Sequence, residues 1–315
     1  MLNLIFLLVG FIPLIYGANF LVDGSSSLAK KFNIPNIVIG LTVVAFGTSA
    51  PELIVNVFSS LQKTSDITMG NIIGSNIFNV AVILGVSAVL RNINVKTNTT
   101  WKEIPLALLA AVLVIIMIND TAIDKNKISE ISRIDGMVLI SFFMVFMSYT
   151  LSMIKSGKSE EEVTVKEFTL LKSSILTLLG LIMLVIGGKV IVMFAVNFAK
   201  DMGISERVIG LTIVSIGTSL PELATSVSAT LKNNVDIAIG NVVGSNIFNI
   251  FLVLGVSSFI HPIPLLDGVN VDIALNIFLS LLLFLFIFSG KGRKIERWEG
   301  FSFIVIYIFY LAYLI

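Results

Sequence analysis

Apolar runs of about 20 residues, the length that crosses a bilayer as a helix, recur along the chain with short polar stretches between them. They lie near residues 3–28, 37–61, 67–90, 101–119, 134–154, 169–198, 207–230, 237–260, 271–289 and 299–315. The pattern predicts an all-α integral membrane protein of ten transmembrane helices. The first run has no basic stretch before it and continues into a long, polar-ended helix, so it reads as a span rather than a cleaved signal. The second, third, seventh and eighth runs are interrupted by Gly, Pro, Ser, Thr, Asn and Glu.

These interruptions occur twice, at one constant offset. Residues 38–53 read VIGLTVVAFGTSAPEL and residues 208–223 read VIGLTIVSIGTSLPEL, identical at twelve of sixteen positions. Residues 66–79 read DITMGNIIGSNIFN and residues 236–249 read DIAIGNVVGSNIFN, identical at ten of fourteen. LGVS then recurs at 84–87 and 254–257 without a gap. Shared hydrophobicity does not produce such matches, because the matching residues are mostly polar or Gly. The expected organisation is a first five-helix repeat at 1–157, a linker at 158–168 and a second repeat at 169–315, forming one intertwined transport domain. An odd number of spans per repeat makes the second repeat enter the membrane from the opposite side. That is the inverted-repeat design of many secondary transporters, with a site near the midplane.

The repeated residues are oxygen donors. Pro51 and Pro221 lack an N–H, which frees the carbonyls of Gly47 and Gly217. Interrupted helices persist in a membrane only where something else satisfies the backbone. Thr48 and Glu52 are four residues apart and share a helix face, as do Thr218 and Glu222. Ser75 with Asn79, and Ser245 with Asn249, repeat that spacing. Crossing the four spans would gather two Glu, two Asn and several Ser and Thr. An all-oxygen site suits hard cations, and Ca²⁺ takes six to eight such ligands. Two carboxylates balance one Ca²⁺, or two or more Na⁺ with neutral oxygens sharing the load. Acids at mid-membrane are costly and mark functional sites.

Composition narrows the field. Hydrophobic residues make up 56% and charged residues 13%, too few to coat a soluble body of 315 residues. The absence of Cys excludes disulfides, thiol catalysis and Cys-held metals, and the single His261 leaves almost no scope for His chemistry. The net charge of +1 carries no sign of nucleic-acid binding. No cofactor and no protein partner is expected. Loops after odd-numbered spans hold 14 Lys and Arg and those after even-numbered spans 6, with Lys189 inside the sixth span. The positive-inside rule then puts the odd loops and the linker in the cytoplasm and both termini outside the cell membrane.

The paired GTSxPE and GNxxGSNIFN motifs resemble the calcium/cation antiporter superfamily, specifically prokaryotic sodium/calcium exchangers, over essentially the whole chain. The resemblance implies Na⁺ and Ca²⁺ as substrates. It implies Glu52 and Glu222 as central Ca²⁺ ligands, with Thr48 and Thr218 sharing that site through their carbonyls. Ser49, Ser219, Ser75 and Ser245, with the carbonyls of Ala45 and Ser215, would complete flanking Na⁺ sites. Asn79 and Asn249 would line the centre. The first and sixth spans would slide across the core to alternate access. Some relatives carry Asp where Asn249 stands, and its absence argues against K⁺ co-transport.

Other residues have plainer readings. Gly70, Gly74, Gly240 and Gly244 form GxxxG pairs suited to close helix packing. Asn76 and Asn246 point off the Ser/Asn face and are expected to bond neighbouring helices. Asp66 and Asp236 suit helix caps, and His261 suits a loop. Asn98 fits a glycosylation sequon but falls in an expected cytoplasmic loop. Lys189, opposite Asn19 in the repeat, either pairs with an acid or reaches for the surface. Na⁺-driven Ca²⁺ antiport is the reading favoured by the residues. H⁺-driven Ca²⁺ antiport is the alternative, opposed by the neutral Asn79 and Asn249. A channel fits an inverted repeat less well, since pores are built on an axis of like subunits.

Overall fold

The computed structural model describes residues 2–63, 65–123, 125, 128–155, 166–201, 215–265, 268–290 and 292–314. Besides a single helical turn at Asp120–Ile123, twelve helices carry the described chain. They are α1 (Leu2–Lys31), α2 (Asn36–Thr48), α3 (Ala50–Leu61), α4 (65–90), α5 (Thr99–Met117) and α6 (Arg133–Lys155). After the linker come α7 (Leu170–Asp201), α8 (Ser215–Thr218), α9 (Leu220–Leu231), α10 (Val235–Ile260), α11 (Val269–Phe286) and α12 (Arg297–Leu314). Each of α1–α6 has its counterpart six helices on.

Seven described helices are long and apolar enough to cross a membrane, and α2 with α3, meeting at 46°, makes an eighth candidate span. The first third of the expected seventh span, residues 207–214, which carries the start of the repeated motif, lies outside the described residues. The tenth expected span is α12, whose 18 residues include Arg297, Glu299 and three tyrosines. The linker 158–168 is described only from Lys166 onward.

Burial orders the helices. In the apolar window of α10, 94% of residues are buried, and 78% in α4, against 22% in α6. The Gly/Ser/Asn-rich helices therefore form the centre and the uniformly apolar ones the rim. Leu8, Ile12, Phe58, Val145, Leu178 and Phe309 are exposed on that rim, as a lipid-facing surface requires. Polar residues are inside, because only there can other protein groups satisfy them.

Small residues set the approach of helices. α1 and α7 run antiparallel with backbones touching: a Cβ on Gly17 would lie 2.9 Å from the Gly180 carbonyl, and one on Gly180 2.5 Å from the Leu21 nitrogen. Gly240 and Gly244 pack against α2 as expected, with Gly240 3.1 Å from Gly40 Cα on the same measure. Gly70 and Gly74 line a small cavity with Asp272, Tyr307 and Tyr310.

Two tiny ribbons join the halves. β1 (Ile93–Asn94), after α4, pairs antiparallel with β4 (Lys294–Ile295), before α12. β2 (Glu130–Ile131), before α6, pairs with β3 (Ile263–Pro264), after α10. Matching caps follow the ribbons. Asp135 exchanges hydrogen bonds with Ser132 at the start of α6, and Glu299 accepts the Glu296 N–H at 2.6 Å at the start of α12. Asp236, expected as a cap, pairs with Lys96 at 2.7 Å. The Asp66 side chain lies outside the described set. His261 ends α10, where its Nδ1 lies 3.0 Å from the Pro262 carbonyl. Lys189 is exposed on α7.

One end of α1 is tied to the other repeat. Lys232, just past α9, bonds Asp23 at 2.7 Å and the Asn19 carbonyl at 2.9 Å, while Ser228 donates to the Asn19 side chain. At the equivalent positions of the other repeat stand Gln62, Met193, Lys189 and Phe58, so no such ion pair can form there.

Candidate ion-binding site

The two Pro-Glu motifs build broken spans. Proline is tolerated in the first turn of a helix, where its missing N–H is not needed. Pro51 and Pro221 accordingly open α3 and α9 rather than kinking a continuous helix. The breaks fall at Ser49 (φ −84°, ψ 6°) and Ser219 (φ −88°, ψ 4°), which are nearly superimposable conformations. Glu52 and Glu222 thus sit in first turns, where the positive end of the helix dipole favours a carboxylate. α2 ends against the same gap, and carbonyls there lack helical partners. Ala45 is fully buried, and its carbonyl accepts the Ser49 N–H at 2.9 Å and lies 3.3 Å from the Thr48 hydroxyl. Ser215 opens α8, and its side chain is outside the described set.

Each carboxylate is held from the opposite repeat. The Ser49 hydroxyl donates to Glu222 Oε1 at 2.9 Å and lies 3.0 Å from Ser245 Oγ. The Ser219 hydroxyl donates to Glu52 Oε1 at 3.4 Å. Ser245 reaches Glu222 at 3.5 Å, whereas Ser75 Oγ is buried without a partner. The cage around Glu222 is therefore the tighter one. Glu52 Oε2 and Glu222 Oε2 are both buried with nothing bonded to them. Both residues are 1% exposed, and among the described residues no Lys or Arg pairs with either. A buried charge persists only with a counter-charge, so this pair needs a cation or protons.

The threonines are buttressed across the same interface. Thr48 donates to Asn241 Oδ1 and Thr218 to Asn71 Oδ1, both at 3.1 Å. Asn241 Nδ2 in turn donates to the Glu222 carbonyl at 3.2 Å and to Ser226 at 3.0 Å. Asn56 Nδ2 donates to the Glu52 carbonyl at 2.7 Å. Sequence reasoning singled out neither Asn71 nor Asn241. Their signal was present, since both stand at the same place in the duplicated GNxxGSNIFN motif.

Asn79 and Asn249 are buried on the central helices α4 and α10, each within the first two residues of a π-helical stretch, 79–84 and 248–254. Such turns, with one extra residue per turn, concentrate at functional sites. Asn79 Nδ2 donates to Asn246 Oδ1 at 2.9 Å and Asn249 Nδ2 to Asn76 Oδ1 at 3.0 Å. The Oδ1 atoms of Asn79 and Asn249 remain unpartnered. Asn76 and Asn246 bond the neighbouring central helix, as expected of them.

Glu222, Ser49, Ser245 and, through Asn241, Thr48 thus form one hydrogen-bonded group, and Glu52 with Ser219, and Thr218 with Asn71, form smaller groups. Ser75, Asn79 and Asn249 contribute further buried oxygens. All these groups are neutral or anionic oxygen donors, a set that suits a hard cation.

Comparison with known proteins follows the same lines. The sequence profile of the family described as sodium/calcium exchanger protein matches residues 2–152 and 172–315. The chain is 38% identical over 309 residues to an uncharacterized membrane protein of Methanocaldococcus jannaschii, covering 98% of this chain and 96% of that one. It is 33% identical over 345 residues to the sodium/calcium exchanger MaX1 of Methanosarcina acetivorans, covering 99% and 97%. The solved structure of the sodium-calcium exchanger NCX_Mj, soaked with Na⁺ and Sr²⁺, matches with a TM-score of 0.84 at 36% identity, covering 99% of this chain and 98% of that one.

Proposed function

The chain belongs to the sodium/calcium exchanger protein family, and from that premise we propose that it exchanges Na⁺ for Ca²⁺ by alternating access to one shared site. The family makes it a multi-pass membrane antiporter of the cation/Ca²⁺ class and not an enzyme. The observation that carries the finer reading is the pair of buried carboxylates, Glu52 and Glu222. Each has one oxygen without a partner, and no basic residue among those described pairs with them.

One Ca²⁺ between the two carboxylates neutralises them. Na⁺ ions taking the same oxygens, with Ser49, Ser219, Ser75, Ser245 and the carbonyls of Ala45 and Ser215, neutralise them equally. Thr48, Thr218, Asn79 and Asn249 complete the set. The two occupancies exclude one another, and mutual exclusion is what couples the fluxes. Two five-helix halves of opposite orientation, ten spans in all, give the site two equivalent exits. Both ribbons support this arrangement, because each joins loops that ten spans put on one side of the membrane. On that topology the lysine-rich loops are cytoplasmic and both termini are outside.

The deciding experiment is radiolabelled Ca²⁺ uptake into proteoliposomes loaded with Na⁺, with K⁺, or with a pH gradient alone. Uptake driven by internal Na⁺ is expected. Uptake that ignores Na⁺ and follows the pH gradient would replace Na⁺ coupling with H⁺ coupling.

A further inference from the structure

Four asparagines join the two central helices in a ring that spans the repeats. Asn76 Nδ2 donates to the Asn246 carbonyl at 3.2 Å, and Asn246 Nδ2 donates to the Asn76 carbonyl at 3.4 Å. Asn76 Oδ1 accepts from Asn249, and Asn246 Oδ1 from Asn79. All four side chains are 4% exposed or less.

The ring has a polarity, and it is anchored on backbone. A main-chain carbonyl can only accept a hydrogen bond. The end of the Asn76 amide that meets the Asn246 carbonyl is therefore its NH₂. Its other end is oxygen, which requires a donor. The facing end of Asn249 must then be NH₂, and its own oxygen is turned away from the ring. The same argument, started from the Asn76 carbonyl, turns the Asn79 oxygen outward. No single amide can exchange its O and NH₂ ends and keep the set.

The use of the amides is unequal. Asn76 and Asn246 spend both ends within the ring. Asn79 and Asn249 spend only their nitrogens, and their buried oxygens have no partner. A ring that served packing alone gives no reason to turn both buried oxygens away from every donor, since a buried acceptor left unpaired is costly. Asn249 lies one turn beyond Ser245 on α10, and Ser245 touches both Ser49 and Glu222. Asn79 stands in the same relation to Ser75.

We propose that Asn76 and Asn246 are positioning residues, which act across the repeats to hold the amides of Asn249 and Asn79 with oxygen, not N–H, toward the bound cation. An Asn that turned its NH₂ inward would repel the ion it is meant to ligate. Polarity is therefore a condition of binding, and it is set by a neighbour that does not touch the ion. The inference rests on the cation site proposed above. It also assigns cross-partners: Asn76 serves Asn249, not Asn79 on its own helix, and Asn246 serves Asn79.

A double-mutant cycle tests this. Asn76→Ala, Asn249→Ala and the double variant are reconstituted, and the half-saturating Ca²⁺ concentration for exchange is measured beside the maximal rate and the thermal midpoint. Asn76→Ala is expected to raise half-saturation about tenfold, the equivalent of one lost hydrogen bond to an orienting partner. The maximal rate should change far less. In the Asn249→Ala background the same substitution should add nothing, because the amide it orients is gone. Paired with Asn79→Ala, its effect should multiply. Full effects of Asn76→Ala in the absence of the Asn249 amide, or coupling to Asn79 instead, would overturn the proposal. If the wild type moves a cation other than Ca²⁺, the Na⁺/Ca²⁺ reading falls, and the cycle read with that cation still decides the ring.

Discussion

Replacing Glu52 or Glu222 by Gln isolates the charge from the shape. Gln is isosteric, and its oxygen can keep the hydrogen bond now made by Oε1, from Ser49 at 2.9 Å or Ser219 at 3.4 Å. The amide nitrogen then replaces Oε2, the oxygen without a partner. One negative charge is lost and an N–H is aimed at the ion. Two unit charges 4 Å apart interact by about 4 kcal/mol at an effective dielectric of 20, so a divalent ion forfeits up to about 8 kcal/mol. Hydration of the freed ion cancels much of this. Even a third of it, about 2.7 kcal/mol, is a hundredfold loss of affinity. Uptake of radiolabelled Ca²⁺ into Na⁺-loaded proteoliposomes, at Ca²⁺ below saturation, should fall to background for either variant. Without cations the variants should be as heat-stable as the wild type or more so, since an uncompensated buried charge has been removed. Saturating Ca²⁺ should raise the melting temperature of the wild type by linkage, and that of the variants much less. Wild-type uptake in either variant, or an undiminished Ca²⁺-induced rise in Tm, would refute the assignment of these carboxylates.

Four further outcomes are expected. Gly180→Ala places a methyl 2.5 Å from the Leu21 nitrogen and should cost about 1–3 kcal/mol of stability; Gly188→Ala, whose nearest neighbour would be 3.5 Å away, is the tolerated control, both read by thermal unfolding in detergent. Asn241→Ala should lower exchange and stability more than Asn71→Ala, because Asn241 also donates to the Glu222 carbonyl and Ser226; equal effects in the two assays would contradict this. The Asp23–Lys232 pair is 21% and 28% exposed, so a thermal double-mutant cycle with Asp23→Asn and Lys232→Met should give about 0.5–1 kcal/mol of coupling, weakening as salt rises. Glu167→Cys puts one thiol in a chain that has none; in whole cells a membrane-impermeant maleimide should leave it unlabelled until the membrane is opened, and prior labelling would reverse the orientation.

Most of the candidate site's oxygen donors were legible in the chain. Glu and Pro inside apolar runs are too costly to be accidental, and their recurrence in the second half marks them as a pair. The i, i+4 spacing holds for Ser245 and Asn249, which lie on one helix, α10; it fails for Thr48 and Glu52, because the break at Ser49 puts them on two helices meeting at 46°. Less was legible where two readings were locally equivalent. Pro51 is compatible with a kinked span or with a new helix, and packing resolved it to a break at Ser49. Asn71 and Asn241 carried no separate reading until their contacts with Thr218 and Thr48 appeared, because a lone Asn on a central helix has no chemistry of its own without its partner. Asp236 had the position of a cap, but Lys96, distant in sequence, claims its carboxylate.

The sequence by itself determined the solvent, the duplication, the oxygen-only chemistry and the two acids. Each follows from composition or from spacing along one helix. Tertiary structure decided the partnerships: Ser49 with Glu222, Ser219 with Glu52, Asn76 with Asn249. Because the two repeats carry nearly the same residues at the same spacing, the chain alone does not say whether a serine serves the glutamate of its own repeat or of the other. Only the crossing of α4 and α10, with the broken spans around them, brings the opposite repeats within hydrogen-bonding distance, so that each copy supplies partners to the other.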